Sequence, residues 1–150
     1  MIRCRICTVG DDHEVAAQTG HRTSEENIVK YLIVMHVDPS VLEQLTDEQQ
    51  QAIGEGHAAF MAKTKESGEF ISTQALGDPS TSKVVRSNGG EPEVTDGPFV
   101  EAKEFLGGFY LVDVEDEARA IELAKQIPDA RIPGLALEIR PVVFADLGND

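Results

Sequence analysis

Residues 31–37, YLIVMHV, carry the strongest folding signal in this chain of 150 residues. The segment is β-branched and apolar on both faces, so it predicts a central strand that is buried on both sides for part of its length. Asp38–Pro39–Ser40 is expected to end this strand, because proline has no amide hydrogen to donate to a neighbouring strand. A loop is expected to follow as far as Leu45.

A helix is predicted next, from Thr46 to about Ser67. Thr46 and Gln49 have the spacing of a capping box, in which the side chain of each residue bonds the backbone amide of the other. Apolar residues recur at helical spacing along one side of this segment. The predicted inner stripe contains Ile53, Ala59, Phe60 and Met61, together with His57.

Three glycines have predicted roles in this helix. Gly54 and Gly56 each weaken a helix by about 1 kcal/mol relative to alanine, so we expect both to allow close approach of a neighbouring backbone. Gly68 is expected to stop the helix, because glycine adopts the left-handed conformation that helix ends require.

The rest of the chain predicts further strands and one more helix. Strands are expected over 70–76, 81–86, 107–114 and 135–143, with a short return strand over 92–95 after a tight turn at Ser87–Gly90. Pro141 is expected to lie in an edge strand or to end it. The second helix is expected over 116–127, with an inner face of Ala120, Ile121, Ala124 and Ile127.

The order of these elements predicts the fold class. With the return strand set aside, we interpret the order as β-α-β-β-α-β, the ferredoxin-like split β-α-β pattern of an α+β protein. Both helices are then expected on one face of a single sheet, which leaves the other face uncovered. A second copy of the same sheet is the simplest cover for that face, so we expect a homodimer.

Composition and charge exclude several classes of protein. Hydrophobic residues make up 41% of the chain and charged residues 27%, as in ordinary globular domains. The formal net charge of −14 disfavours direct binding to nucleic acid. No apolar run approaches the roughly 20 residues that span a bilayer, and no secretory signal is evident. These features predict a cytoplasmic protein without a membrane partner.

The two ends of the chain differ from its middle. Residues 1–29 are polar and lack a sustained period, so they are predicted to form a flexible arm. The folded domain is expected over 30–145, with a short tail over 146–150. Within the arm, Cys4 and Cys7 have the wrong spacing from His13 and His21 for a common zinc finger, so we predict no metal site.

The segment 95–104, TDGPFVEAKE, followed by GGFY at 107–110, resembles the signature of the DGPF group of YCII-related proteins. The opening strand at 30–35, the capped helix, the hairpin around 84–86 and the segment 138–141 fall in the matching order. The resemblance therefore covers about 30–145. It implies a dimeric α+β barrel and no settled activity. It also implies a link to sigma-factor-dependent transcription, because such proteins are often encoded beside sigma factors.

The same resemblance implies a candidate acid–base pair. His57 occupies the place of the helix histidine that YCII-like proteins hold in the cleft between helix and sheet. Its acidic partner is expected near the start of the last strand region, where Asp129 lies somewhat displaced from that place. The sequence leaves Asp96 and Asp129 as alternative partners.

The loop from Asp96 has two interpretations. Asp96–Phe99 has the composition of a plain turn, in which aspartate caps the loop and glycine supplies an unusual backbone angle. The alternative is a turn that also lines a pocket. Glu101 and Lys103 are either solvated or paired at the mouth of that pocket. In the second case Lys103 would hold an anionic ligand and Asp96 or Glu101 would act as the base.

Four other residues are candidates for the same cleft. His57 is either a hydrogen-bonded core histidine or a proton carrier, since histidine titrates near neutral pH. His36 ends the first strand and could join it there. Tyr110 and Arg86 lie on predicted strands, where each is expected to contact either a ligand or the second copy.

These residues support competing functions. One is a small-molecule enzyme of the acid–base lyase or isomerase type, with catalytic candidates His57, Asp96 and Glu101. The ligand-binding candidates are Lys103, Arg86, Tyr110 and His36. The others are a non-catalytic ligand-binding or regulatory module, and an acidic partner of a transcription factor. No nucleotide-binding or serine-hydrolase motif is present, so we predict no cofactor.

Overall fold

The computed structural model describes residues 29–148. Nearly all of the predicted arm, including Cys4 and Cys7, lies outside the described residues, as do the last two residues of the predicted tail. The statements below therefore concern residues 29–148.

The described chain forms strands and helices in close to the expected order. The strands are β1 (Val29–Val37), β2 (Phe70–Ala75), β3 (Lys83–Arg86), β4 (Glu93–Asp96), β5 (Phe105–Val114) and β6 (Ala136–Pro141). The α-helices are α1 (Pro39–Glu43), α2 (Asp47–Glu66) and α3 (Glu117–Ala124). Short 3-10 helices occupy Pro79–Thr81 and Pro128–Arg131.

Four strands form one antiparallel sheet in the order β2-β5-β1-β6. The hairpin β3–β4 forms a separate two-stranded sheet. The α+β class and the split β-α-β arrangement are therefore as predicted, with one correction. The four strands of that pattern remain only when both strands of the hairpin are set aside, and not its return strand alone, because β3 and β4 lie outside the main sheet. β6 lies at an edge of the sheet, as expected for the strand that contains Pro141. The missing amide hydrogen of Pro141 therefore deprives no further strand of a hydrogen bond.

One face of the sheet packs against α2 and α3. Alternate residues of β1 and β5 point to this face, because successive side chains of a strand point in opposite directions. Phe60 of α2 and the small inner residues of α3 fill the space between the layers. The buried apolar cluster comprises Tyr31, Ile33, Met35, Phe60, Tyr110, Val112, Val114, Ala120, Leu123, Ala124 and Ile127.

The start and end of α2 follow the predicted signals. The Thr46 hydroxyl accepts a hydrogen bond from the Gln49 amide at 3.2 Å, and the Gln49 side chain accepts one from the Thr46 amide at 2.9 Å. Gly68 follows the helix with a φ of 77°, which a residue without Cβ adopts at no steric cost. The capping box and the glycine stop are thus confirmed.

The expected loop after β1 is wrong in part, because it contains α1. The Asp38 side chain accepts a hydrogen bond from the Ser40 amide at 2.9 Å and caps this helix. Pro39 occupies the first helical position, where its missing amide hydrogen has no partner to lose.

Two predicted inner faces also need correction. Ala59 is exposed, whereas Thr64 is fully buried. The buried Thr64 hydroxyl is satisfied because it donates to the Phe60 carbonyl at 2.8 Å. In α3, Ile121 is 38% exposed and Leu123 is buried. The helix is shorter than predicted, and its buried side carries Ala120, Leu123 and Ala124.

The two glycines within α2 differ in their surroundings. A Cβ atom on Gly56 would lie 2.5 Å from Cγ of Pro128, so the helix could not approach the 3-10 helix this closely with a larger residue. A Cβ atom on Gly54 would meet nothing within 4 Å. Close approach is therefore found at Gly56, where the neighbour is the Pro128 ring and not a backbone, and the prediction is wrong for Gly54.

Candidate active site

Three elements bring His57, Tyr110 and Asp129 together. His57 lies on the inward side of α2, and Tyr110 points toward that helix from β5. Asp129 is carried by the 3-10 helix Pro128–Arg131. Gly56 directly precedes His57, and Pro128 directly precedes Asp129. The close approach of Gly56 and Pro128 therefore joins α2 to the 3-10 helix beside the site. The missing side chain at Gly56 therefore lets these elements meet at the site.

The His57 ring is held from both sides. Its Nδ1 atom lies 2.9 Å from the Tyr110 hydroxyl, and its Nε2 atom lies 2.9 Å from Oδ2 of Asp129. The side chains of His57 and Asp129 are 22% and 10% exposed, and Tyr110 is 2% exposed. The histidine and tyrosine rings are nearly parallel, with centroids 6.0 Å apart. Water has little access to these contacts.

The environment of Tyr110 defines the hydrogen bonding of the site. Burial raises the pKa of the Tyr110 hydroxyl. The Thr73 side chain partly opposes this rise, and the negative charge of Asp129 adds to it. The hydroxyl is therefore protonated at neutral pH and can donate to Nδ1 of His57. On this basis we assign the hydrogen of the neutral ring to Nε2, on the side of Asp129.

The contact between Asp129 and His57 is short but is not a well-aligned hydrogen bond. Oδ2 of Asp129 is buried and has no hydrogen-bond partner of good geometry within residues 29–148, although Nε2 of His57 is only 2.9 Å away. A buried carboxylate without a full set of hydrogen bonds gains most from a positive neighbour. Protonation of the His57 ring supplies such a neighbour.

A shallow cavity of about 370 Å³ opens beside this group. Gly56 and Pro128, the residues preceding His57 and Asp129, line it together with Ile53, Arg131 and Ile132. His57 does not itself line this cavity. A small molecule bound there would lie next to the elements that carry the histidine and the carboxylate.

The predicted residues of the Asp96 loop lie elsewhere. The Asp96 carboxylate is 81% exposed and pairs with Lys83 across the hairpin. Among the described residues, no ion pair joins the exposed Glu101 to Lys103. Lys103 instead lies near Asp38, where hydrogen bonds from Ser40 lower the pKa of the carboxyl and the charge of Lys103 adds to that effect. None of these residues is a polar contact of His57.

His36 and Arg86 are also apart from the His57 group. The His36 ring lies 2.7 Å from the Glu138 carboxylate, on the sheet face opposite the helices. The Arg86 guanidinium lies over the Phe99 ring of the loop after the hairpin, 5.1 Å from the ring centre. Of the predicted site residues, the structure therefore brings together His57, Tyr110 and Asp129.

The place of Tyr110 in this group could have been predicted from a signal in the sequence. Tyr110 shares the two-residue period of Val112 and Val114, which places all three on the helix-facing side of one strand. That period favours a contact with the helix that carries His57 over a contact with a second copy. The contribution of Thr73 had no such signal.

Metal-binding clusters and membrane-spanning helices are both absent from the part of the chain that the structure describes. Residues 29–148 contain no group of three or more His, Cys, Asp or Glu side chains placed to hold a metal ion. Within the same residues, every helix is too short or too polar to cross a bilayer.

Comparison with known proteins identifies the family. The profile of the YCII-related domain matches residues 29–144. An uncharacterized protein of Rhizobium meliloti (strain 1021) is 30% identical over 119 residues, which cover 79% of this chain and 96% of the relative. The match extends through the sheet, both long helices, the hairpin and the residues around His57. The chain belongs to the YCII-related domain family.

Proposed function

We propose that this protein is a small-molecule enzyme of the acid–base lyase or isomerase type, with His57 as its proton carrier. The observation that carries the proposal is the His57 ring held 2.9 Å from the Tyr110 hydroxyl on one side and 2.9 Å from the Asp129 carboxylate on the other. A buried histidine with a carboxylate partner is a common arrangement for moving a proton near neutral pH.

The proposed roles follow from the hydrogen bonding. Tyr110 takes a proton from the substrate as its own hydroxyl proton passes to Nδ1 of His57. The resulting imidazolium is stabilised by the charge of Asp129. The reverse transfer returns a proton to another atom of the substrate or to its leaving group. A concerted transfer suits Tyr110 because burial raises the pKa of its hydroxyl and disfavours a free phenolate.

Asp96 and Glu101 have no part in this mechanism, although the sequence made them candidates for the base. Asp96 pairs with Lys83, and both carboxylates are exposed on the hairpin and the loop after it. Asp129 supplies the carboxylate instead. Nothing in the proposed steps requires a cofactor.

The test is exchange of substrate hydrogen with deuterated water. Small oxo acids and related metabolites are incubated with the protein in D₂O, and exchange at carbon is followed by NMR. The protein is expected to accelerate exchange in at least one compound, and His57→Asn is expected to abolish it. His36→Asn is the matched control, since it makes the same change on the opposite face of the sheet. Equal exchange by the protein and by a folded His57→Asn variant would contradict the proposal.

A second candidate is a non-catalytic ligand-binding or regulatory module. It is favoured by one observation: both nitrogens of His57 already have protein partners, and Tyr110 is almost fully buried. In that case His57→Asn keeps ligand binding, and no compound shows exchange. The link to sigma-factor-dependent transcription belongs to this candidate and rests on the resemblance alone.

A cytoplasmic homodimer completes the proposal. On the sheet face opposite the helices, Leu32 pairs with Leu111 and Val34 pairs with Phe109, which forms an apolar patch. Such patches commonly mark an interface. A second sheet is its proposed cover. Light scattering at micromolar concentration is expected to give the mass of two chains, and Phe109→Lys is expected to give single chains. A single-chain mass for the unmodified protein would refute the dimer.

A further inference from the structure

A second cavity lies on the hairpin, away from the His57 group. Its volume is about 290 Å³, and its lining includes Arg86, Asn88, Glu93, Thr95 and Phe99. Because β3 and β4 form a sheet of their own, this cavity shares no strand with the main sheet. Nothing in the proposed acid–base mechanism uses it.

Arg86 is the central feature of this cavity. Its guanidinium lies over the Phe99 ring, 5.1 Å from the ring centre, which limits the orientations of the group. Within residues 29–148 the Arg86 side chain has neither a hydrogen bond nor an ion pair, although Glu93 is its cross-strand neighbour. The guanidinium therefore has an aromatic neighbour, and its N–H groups have no other partner among the described residues.

Other side chains around the cavity add hydrogen-bond donors. The Asn88 amide and the Thr95 hydroxyl line the cavity, and neither bonds another described side chain or backbone group. Asp96 also borders it, but its carboxylate is paired with Lys83. Arg86, Asn88 and Thr95 therefore supply the available donors. The lining residues carry two opposing charges, the Glu93 carboxylate, which is unpaired within residues 29–148, and the Asp96 carboxylate paired with Lys83.

The size and lining of the cavity limit the ligand. A guanidinium with a free edge presents two parallel N–H groups, which match the two oxygens of a carboxylate. Val84 and the 68% exposed Phe99 ring offer apolar surface beside that edge. A small carboxylate with a flat apolar body would satisfy both parts of the lining.

We infer that the hairpin cavity is a binding site for a small carboxylate, with Arg86 as the anion-binding residue and Phe99 as the surface against which the guanidinium and the ligand body pack. Asn88 and Thr95 donate further hydrogen bonds to the carboxylate. Glu93 weakens the site, because it competes for the same guanidinium. This site stands independently of the chemistry proposed for His57.

The experiment is an NMR titration of the full chain with benzoate. Benzamide, its neutral counterpart, and inorganic phosphate serve as the other probes. Benzoate is expected to shift the backbone amide signals of Thr95 and Gly97 saturably, whereas benzamide leaves them in place. Phosphate is expected to bind more weakly than benzoate, because it gains nothing from the Phe99 ring. Binding of benzamide or of phosphate as tightly as benzoate would overturn the inference.

Variants test the role of each group. Arg86→Gln is expected to weaken benzoate binding about ten-fold or more, as a lost charged hydrogen bond does. Glu93→Gln is expected to strengthen it several-fold, and this opposite effect cannot come from misfolding of the hairpin. Arg131→Gln and His57→Asn are controls and are expected to leave it unchanged. Loss of binding in either control, or no gain in Glu93→Gln, would overturn the site.

Discussion

The two glycines of α2 allow the packing around the candidate site to be tested with a matched pair of substitutions. Gly54→Ala and Gly56→Ala make the same change two residues apart in one helix. Each removes a residue that costs about 1 kcal/mol in a helix interior relative to alanine. Their intrinsic effects on helix stability are therefore equal, and any difference between the two variants comes from what the new methyl group meets.

The structure predicts opposite outcomes. The new methyl of Gly54→Ala meets nothing within 4 Å, so this variant is expected to be more stable by about 1 kcal/mol. The new methyl of Gly56→Ala would lie 2.5 Å from Cγ of Pro128, a ring atom that cannot rotate away. Overpacking of this kind costs about 1–3 kcal/mol. After the helix gain is included, Gly56→Ala is expected to be between neutral and about 2 kcal/mol less stable.

Urea unfolding followed by circular dichroism at 222 nm measures the difference. The chain contains no tryptophan, so the helical signal is the better probe. Both variants are compared at one protein concentration, because dimerisation would make stability concentration-dependent. In thermal melts, each kcal/mol corresponds to about 2–4 °C for a chain of this size. Equal stabilisation of the two variants would show that Gly56 and Pro128 are not in contact, and the placement of Asp129 beside His57 would lose its main support.

Three further outcomes are expected. Tyr110→Phe is expected to lower the free energy of unfolding by about 1 kcal/mol, since it removes the hydrogen bond to His57 and keeps the ring; an unchanged urea midpoint would argue against that bond. Arg119 holds the pKa of Glu69 below its ordinary value of 4.5, so this pair stabilises the fold fully above that value and loses its contribution as the pH falls through the lowered pKa. Urea midpoints measured from about pH 6 to pH 3 are expected to fall less steeply in Glu69→Gln, and parallel curves would count against the pair. Thr46→Ala is expected to cost about 1 kcal/mol through loss of the helix cap, and a thermal melt like that of the unmodified protein would contradict it.

Local signals predicted most of the secondary structure. The apolar run of β1, the capping box at Thr46 and the stop at Gly68 each depend on residues that are neighbours in the chain. Their outcome is decided by backbone geometry and short-range hydrogen bonds, so the tertiary fold did not change it. The errors lie where packing decides. Ile121 and Leu123 are both apolar, and only the packing of α3 on the sheet determines which of them is buried.

The candidate site was predicted in its parts and not in its assembly. The resemblance pointed to His57 and to a partner near Asp129, and the residues of the loop left Asp96 as an alternative. Both carboxylates lie far from His57 along the chain, so no local pattern distinguishes them. The structure distinguishes them through two contacts: Asp96 pairs with Lys83 on the hairpin, and the 3-10 helix with Asp129 packs on Gly56.

The sequence alone determined the α+β class, the positions of the capped helix and strands, and the family, because these follow from residue periods and motifs within short segments. The tertiary structure decided that the hairpin stands apart from the main sheet, that Tyr110 faces His57, and that Asp129 is the carboxylate beside it. These features depend on contacts between distant segments, whose geometry is determined only when the helices pack against the sheet.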